Sequence, residues 1–205
     1  MRNRPYIAAM VLLVSLYLSG QYIARDEIFA SAVSTALAII AAVAFWMEFR
    51  SNERINEAQL IMELNDQFIS NPQFNKVELE LEKYYVQYRE ARRMGEPVSE
   101  VPFDIDLDVY DENRQSVVNY LVHLEGIAAL VNEGVLHLNV ITDLMAYRYF
   151  IAVNNPIVQK KELLPYQEYY RGCFRIYEKW SHALGTDKVP MSENALDKQL
   201  DQKKV

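Results

Sequence analysis

One long stretch without a helix-breaking residue constrains this chain more than any other feature. Residues 28–69 contain neither glycine nor proline, and Asn71-Pro72 is the first break. The first twenty positions, Ile28 to Met47, carry no charged side chain. At 1.5 Å per residue, twenty helical residues span about 30 Å, the thickness of a bilayer's hydrocarbon core. The stretch predicts one helix that crosses a membrane and continues into the cytoplasm as a stalk.

A second uncharged run precedes this stretch, and only Arg25-Asp26-Glu27 separates the two. Three residues allow only a tight hairpin, so residues 1–49 are predicted to form a two-helix transmembrane hairpin with spans at about 5–24 and 28–47. The alternative is a cleaved signal peptide with a basic beginning. Leu18-Ser19-Gly20 is a poor cleavage site for it, because Leu18 is not small.

Positive charges flank the predicted spans unequally. Arg2, Arg4, Arg50 and Arg54 would lie on one side of the membrane and only Arg25 on the other. The positive-inside rule then predicts a multi-pass protein of a bacterial inner membrane with both termini in the cytoplasm. The net charge of −7 argues against a nucleic-acid polymer as partner, since phosphate contacts need clustered cations. A single cysteine excludes an intrachain disulfide and fits a reducing compartment.

Small residues recur every four positions along the second predicted span. They allow close helix packing in lipid, either against the first span or between subunits of a homo-oligomer, and both alternatives stay open. Neither span carries an ionisable residue at mid-membrane depth, which argues against a transporter or proton relay. The predicted packing residues are Ala30, Ser34, Ala38 and Ala42.

Residues 50–185 are predicted to form a cytoplasmic helical bundle, because their apolar residues recur with helical spacing and none of the chain alternates as a strand would. The fold class is therefore all-α. The last long helix is expected to run from Pro165 to near Gly185, and residues 186–205 to form a polar, mobile tail. Gly126 and Gly172 fall inside predicted helices, where glycine is unfavourable, so both are expected to face neighbouring helices.

No motif for catalysis, phosphate binding or metal binding is present, so we predict a protein that is not an enzyme and needs no cofactor. The acidic loop that holds Asp104, Asp106 and Asp108 lacks the glycine and glutamate of a calcium-binding loop. Two basic clusters could bind a small anion, such as a nucleotide messenger, if they meet in space; otherwise they are solvated helix ends. Their members are Arg89, Arg92, Arg93, Lys160, Lys161, Arg171 and Arg175.

Two segments, VVNYLVHLEGIAALVNEGVL (117–136) and NEAQLIMELNDQFISNPQF (56–74), resemble a family of uncharacterised bacterial membrane proteins. The similarity covers roughly residues 45–183. It implies one or two N-terminal membrane helices and a cytoplasmic all-helical domain of unknown function, and it transfers no catalytic residue. Asn119 and Glu125 belong to its pattern. They are polar residues on an apolar helix and either hydrogen-bond inside the domain or line a site.

Two functions are consistent with these features. The first is a membrane-anchored, non-enzymatic interaction and assembly module whose helical domain binds a cytoplasmic protein partner. The alternative is a ligand-gated oligomeric membrane effector of the antiphage type. In that hypothesis the basic clusters sense a small anionic messenger, and the stalk transmits a rotation that permeabilises the membrane.

Overall fold

The structure, a computed structural model, describes residues 14, 15, 17, 18, 20, 27–196, 198 and 199. For residues 27–33 and 186, only the backbone is described. The chain divides into two compact units, residues 1–56 and residues 57–205. Most of the predicted first span, and therefore the hairpin, lies outside the described residues.

Helix α1, Glu27–Ser70, runs through both the apolar run and the polar segment after it, which confirms the predicted continuity. From Ser34 it is long and apolar enough to cross a membrane, and it is the one such helix in the described part of the chain. None of its most apolar window is buried inside the protein. Phe45 is 71% exposed, for example. A core helix of a soluble domain would be buried, so this surface needs another cover.

The next two helices each begin at a side chain that caps the helix, and the first of them begins at the predicted break, Asn71-Pro72. Helix α2, Pro72–Met94, starts at Asn71, whose side chain accepts a hydrogen bond from the Gln73 amide at 2.9 Å. It stops at Gly95, which adopts φ 75°. Helix α3, Glu112–Asn132, starts at Asp111, whose side chain accepts from the Arg114 amide at 2.8 Å. That hydrogen bond lowers the pKa of the Asp111 carboxyl.

The last long helix starts later than predicted. Helix α4, Leu138–Val153, is followed by a short helical turn, Pro156–Val158, and a π-helical turn, Gln159–Leu163. A 3₁₀ turn, Gln167–Tyr169, then precedes helix α5, which spans Arg171–Leu184. The predicted start at Pro165 is wrong because the side chain that caps this helix lies in α3, as described below.

The core of the second unit is built around α3, which contacts α2, α4 and α5. The largest fully buried side chains include Phe68 of α1, Tyr120 of α3, Tyr149 and Phe150 of α4, and Trp180 of α5. Every regular element in the described residues is helical, so the all-α prediction is confirmed there.

The segment after α5 is packed, unlike the mobile tail expected from its polar composition. Val189, Met191, Ala195 and Leu196 are each less than 9% exposed. Two 3₁₀ turns shape the segment, Thr186–Lys188 and Ser192–Asn194. Its few apolar residues point inward, which a composition average conceals. The final residues, 200–205, lie outside the described part of the chain.

Candidate functional site

An apolar groove of about 530 Å³ lies between the end of α1, the start of α2 and one face of α3. The α3 residues are three or four positions apart, so they form one face of that helix. The face extends over residues 119–130, about 16 Å or three helical turns. The groove is lined by Leu64, Gln67, Phe74, Asn119, Val122, His123, Gly126, Ile127 and Leu130.

The groove floor contains one polar ring among aromatic side chains. The rings of Phe68 and Phe74 lie 4.8 and 5.4 Å from the ring of His123, centroid to centroid. The imidazole hydrogen-bonds to the Leu64 backbone carbonyl. Its Nε2 atom is buried and has no partner among the described residues. Nε2 is therefore a ring nitrogen with which a bound group can form a hydrogen bond.

Burial keeps this ring neutral. It lowers the pKa of His123 below the ordinary 6.5 and outweighs the hydrogen bond to Leu64, which raises the pKa. Beside Gln67 and Asn119, the groove therefore offers one further polar atom, the Nε2 of His123.

Gly126 widens the groove. A Cβ built on Gly126 would meet no atom within 4 Å, so the expectation that this glycine faces a neighbouring helix is wrong. The exposed Val122 lies one turn away and is 54% exposed. The outer face of α3 thus combines the exposed apolar side chain of Val122 with open space beside Gly126.

Gly172 does face a neighbouring helix, as predicted. The Glu125 carboxylate accepts hydrogen bonds from the backbone amides of Gly172 at 2.6 Å and Cys173 at 2.8 Å. It therefore caps the N-terminus of α5 from another helix and complements its dipole. A Cβ on Gly172 would lie 2.8 Å from Glu125 Oε1. Glu125 hydrogen-bonds inside the domain, whereas Asn119 lines the groove.

A half-buried polar cluster lies where α1, α2 and α4 meet. Arg148 Nε donates to both carboxylate oxygens of Glu78, at 2.8 and 3.0 Å, and Nη1 donates to Asn65 at 2.7 Å. The guanidinium also lies 5.3 Å from the Phe68 ring centroid. These contacts fix the end of α1 against the domain. The partners lie 70 and 83 residues apart along the chain, so no local pattern predicts these contacts.

The seven predicted anion-binding residues divide between different environments. Arg92 forms an ion pair with Glu193, and Lys161 forms one with Asp108. Arg89 stacks on the Tyr85 ring at 5.6 Å. Arg93 and Lys160 are exposed.

Arg171 and Arg175 line a second, smaller hollow beside Phe174. Its volume is about 430 Å³, and Glu168 also lines it. The described contacts do not join the two basic clusters to each other, so binding of an anion by both together stays a prediction.

Of the predicted membrane-packing residues, Ala38 and Ala42 are exposed on α1. Ser34 Oγ donates to the hydroxyl of Tyr17, a residue of the predicted first span, at 3.3 Å. The side chain of Ala30 lies outside the described residues. Neither alternative for this face, intrachain packing or oligomerisation, is decided by these contacts.

The acidic loop after α2 engages the protein's own groups. Asp104 pairs with Lys83, Asp108 pairs with Lys161, and Asp106 accepts from the Asp108 amide at 2.8 Å. In the described part of the chain, no three His, Cys, Asp or Glu side chains come close enough to share a metal ion. Cys173 is buried, and burial raises its pKa well above the ordinary value, so the thiol is not a nucleophile at neutral pH.

The model of one protein family, described as a domain of unknown function (DUF4760), matches residues 29–180. The match covers more than half of the chain. This chain belongs to the DUF4760 family. The matched range includes the exposed apolar part of α1, the whole groove, and the contact between Glu125 and α5. No curated protein and no solved structure matches the chain. The predicted resemblance to a family of unknown function is confirmed to that extent.

Proposed function

We propose that this protein is a membrane-anchored interaction module whose helical domain binds an amphipathic helix of a cytoplasmic protein. The groove along α3 carries the proposal. It combines apolar walls, a length of about three helical turns, and space left open by Gly126. Helix-in-groove recognition uses apolar anchors at positions i, i+3, i+4 and i+7, which fit a groove of that length.

The anchor is α1. None of its most apolar window is buried inside the protein, and a bilayer would cover that surface. Arg50 stacks on Trp46 at 4.9 Å, directly after the apolar run. An aromatic ring beside a cation at the end of a span is typical of the membrane interface. With the Lys and Arg distribution, this supports a bacterial inner-membrane protein with a cytoplasmic helical bundle.

Placement of the predicted anion ligands favours this function over the messenger-gated effector. Arg92 and Lys161 already neutralise carboxylates of the same chain. The hollow between Arg171 and Arg175 is the remaining support for the alternative, and Glu168 lowers its positive charge. Partner binding needs none of these cations.

Site-specific photo-crosslinking in cells tests the proposal. A photoreactive residue replaces Val122 in the groove, and the control replaces Val86 on α2, which is equally exposed at 54%. We expect crosslinks from position 122 to an amphipathic helix of one partner, and none from position 86. Gly126→Leu should abolish them, since its side chain enters the groove while its Cβ meets open space.

The crosslinked peptide decides between outcomes. Crosslinks to a second copy of this chain, equal labelling from both positions, or labelling that survives Gly126→Leu would each overturn the proposal. Native mass spectrometry of the full-length protein ejected from lipid nanodiscs separates the alternative. A bound second protein supports the interaction module, and a closed oligomer that retains a small anion supports the effector.

A further inference from the structure

The segment after α5 is bound to the domain by polar as well as apolar contacts. Its side chains Val189, Ala195 and Leu196 belong to the main core, as is ordinary for a packed terminal segment. In addition, four polar side chains of the domain hydrogen-bond to its backbone or to its carboxylate.

The first part of the site binds backbone carbonyl groups of the segment. Asn154 Nδ2 donates to the carbonyl oxygen of Pro190 at 2.7 Å. Gln159 Nε2 donates to the carbonyl of Asn194, and also to that of Val153 at 2.7 Å. Asn154 and Gln159 are 0% and 2% exposed, so these hydrogen bonds form away from water. Buried donors of this kind recognise any chain that presents carbonyls at the same spacing, whatever its side chains.

The second part of the site binds a carboxylate. The Tyr88 hydroxyl and the Arg92 guanidinium both donate to the same carboxylate oxygen of Glu193. Asn194 Nδ2 donates to the Tyr88 hydroxyl at 3.3 Å. Burial acts to raise the pKa of the Glu193 carboxyl, but the hydrogen bonds from Tyr88 and Arg92 outweigh it and lower the pKa.

The third part is an aromatic pocket for one apolar side chain. Met191 is 4% exposed and packs in a cluster with Tyr84 and Tyr88, separate from the main core. Met191 is also the one described non-glycine residue with a positive φ, 50°. A left-handed backbone is unfavourable for an L-residue, so the segment is held in a conformation that it would rarely adopt by itself.

We propose that Tyr84, Tyr88, Arg92, Asn154 and Gln159 form a recognition site for a short acidic peptide, which the chain's own residues 189–196 occupy. The ligand carries an apolar side chain followed two residues later by a carboxylate, as Met191 and Glu193 do. A peptide of another protein with this pattern competes with the tethered segment for the site. The site shares no residue with the α3 groove, so it does not depend on the proposed function.

The tether sets the strength of the competition. A segment joined to its site by a short linker has an effective concentration in the millimolar range, so an outside peptide binds the intact protein much more weakly than a cut one. The test therefore inserts a protease site between Gly185 and Thr186 of the full-length protein in detergent. A fluorescent peptide of residues 186–199 then exchanges with the released segment, and anisotropy reports its binding.

We expect the cut protein to keep its near-UV circular dichroism and to bind the peptide saturably. Binding to the uncut protein should be about a hundredfold weaker. Arg92→Glu should weaken binding to the cut protein about tenfold, since it removes a charge-assisted hydrogen bond. A peptide with Glu193→Arg should restore binding to that variant. Arg93→Glu, the same charge reversal one residue along α2, is the matched control and should change affinity by less than about threefold.

Three results would overturn the proposal. The cut protein could lose its tertiary circular dichroism, which would make the segment part of the obligatory core. The peptide could bind cut and uncut protein equally, which would place its binding elsewhere. Arg92→Glu and Arg93→Glu could weaken binding equally, which would reduce the contact to net charge.

Discussion

Two glycines inside helices should respond to the same substitution with opposite signs. Gly126→Ala places a Cβ in open space on α3, so only the helix propensity changes. Alanine is more favourable than glycine in a helix interior by about 0.8–1 kcal/mol, and the free energy of unfolding should rise by that amount. The substitution also exposes one additional methyl group, which contributes little to the free energy of unfolding.

Gly172→Ala meets a different neighbour. Its Cβ would lie 2.8, 3.0 and 3.1 Å from Oε1, Cδ and Oε2 of Glu125. The carboxylate is held by two amide donors, so it cannot retreat without breaking them. A hydrogen bond to a charged group contributes about 1.5–3 kcal/mol. Because alanine gains up to about 1 kcal/mol in helix propensity, we expect Gly172→Ala to lower the free energy of unfolding by about 0.5–3 kcal/mol.

Urea denaturation of the full-length protein in detergent measures both changes. The chain has two tryptophans, so a Trp46→Phe background leaves the buried Trp180 as the reporter. Combining Gly172→Ala with Glu125→Ala completes a double-mutant cycle, in which the penalty of the glycine substitution should largely vanish. Gly172→Ala as stable as the parent, or an undiminished penalty in the cycle, would refute the role of the carboxylate.

Three further predictions concern the same unit. The pKa of His123 is lowered in the folded protein, so below pH 6.5 the unfolded chain binds a proton that the folded protein does not, and stability falls as the pH is lowered. His123→Phe should therefore reduce the loss of stability between pH 7.5 and pH 5. Urea titrations at both pH values measure this. Arg148→Ala should cost about 2–3 kcal/mol, since Glu78 keeps a half-buried charge without its partner, and Arg148→Ala with Glu78→Gln should recover part of it. The pKa of Glu193 is lowered, so the carboxylate stabilises binding of the segment after α5 above the ordinary carboxyl pKa, and this contribution is lost as the pH falls through the lowered pKa. Hydrogen exchange of residues 189–196 should rise in that pH range. Glu193→Gln should remove this pH dependence.

The elements that the sequence predicted well are those whose signals are local. The break at Asn71-Pro72 acts within one helical turn, and the structure places the boundary between α1 and α2 there. Continuity of α1 likewise follows from the absence of glycine and proline over residues 28–69.

The misplaced features depend on contacts between distant residues. The start of α5 is set by Glu125, which lies 47 residues before Gly172. A prediction from the local sequence pattern therefore placed the helix start too early, at Pro165. The packed segment 189–196 lies within a polar stretch of sequence, and its hydrogen bonds with the distant Asn154 and Gln159 have no local signal. Periodicity describes which face of an element is apolar, but it does not identify the partner of a polar side chain.

The cap that Glu125 provides also has a consequence for the order in which the chain acquires structure. Helix α5 is 14 residues long and has no side-chain cap of its own at Tyr170, and isolated helices of that length are marginal in water. During synthesis, α3 leaves the ribosome before α5, so the Glu125 carboxylate is available before the amides of Gly172 and Cys173 are made. Helix α5 therefore forms as part of a tertiary assembly, and its first turn is stable only where α3 has already folded.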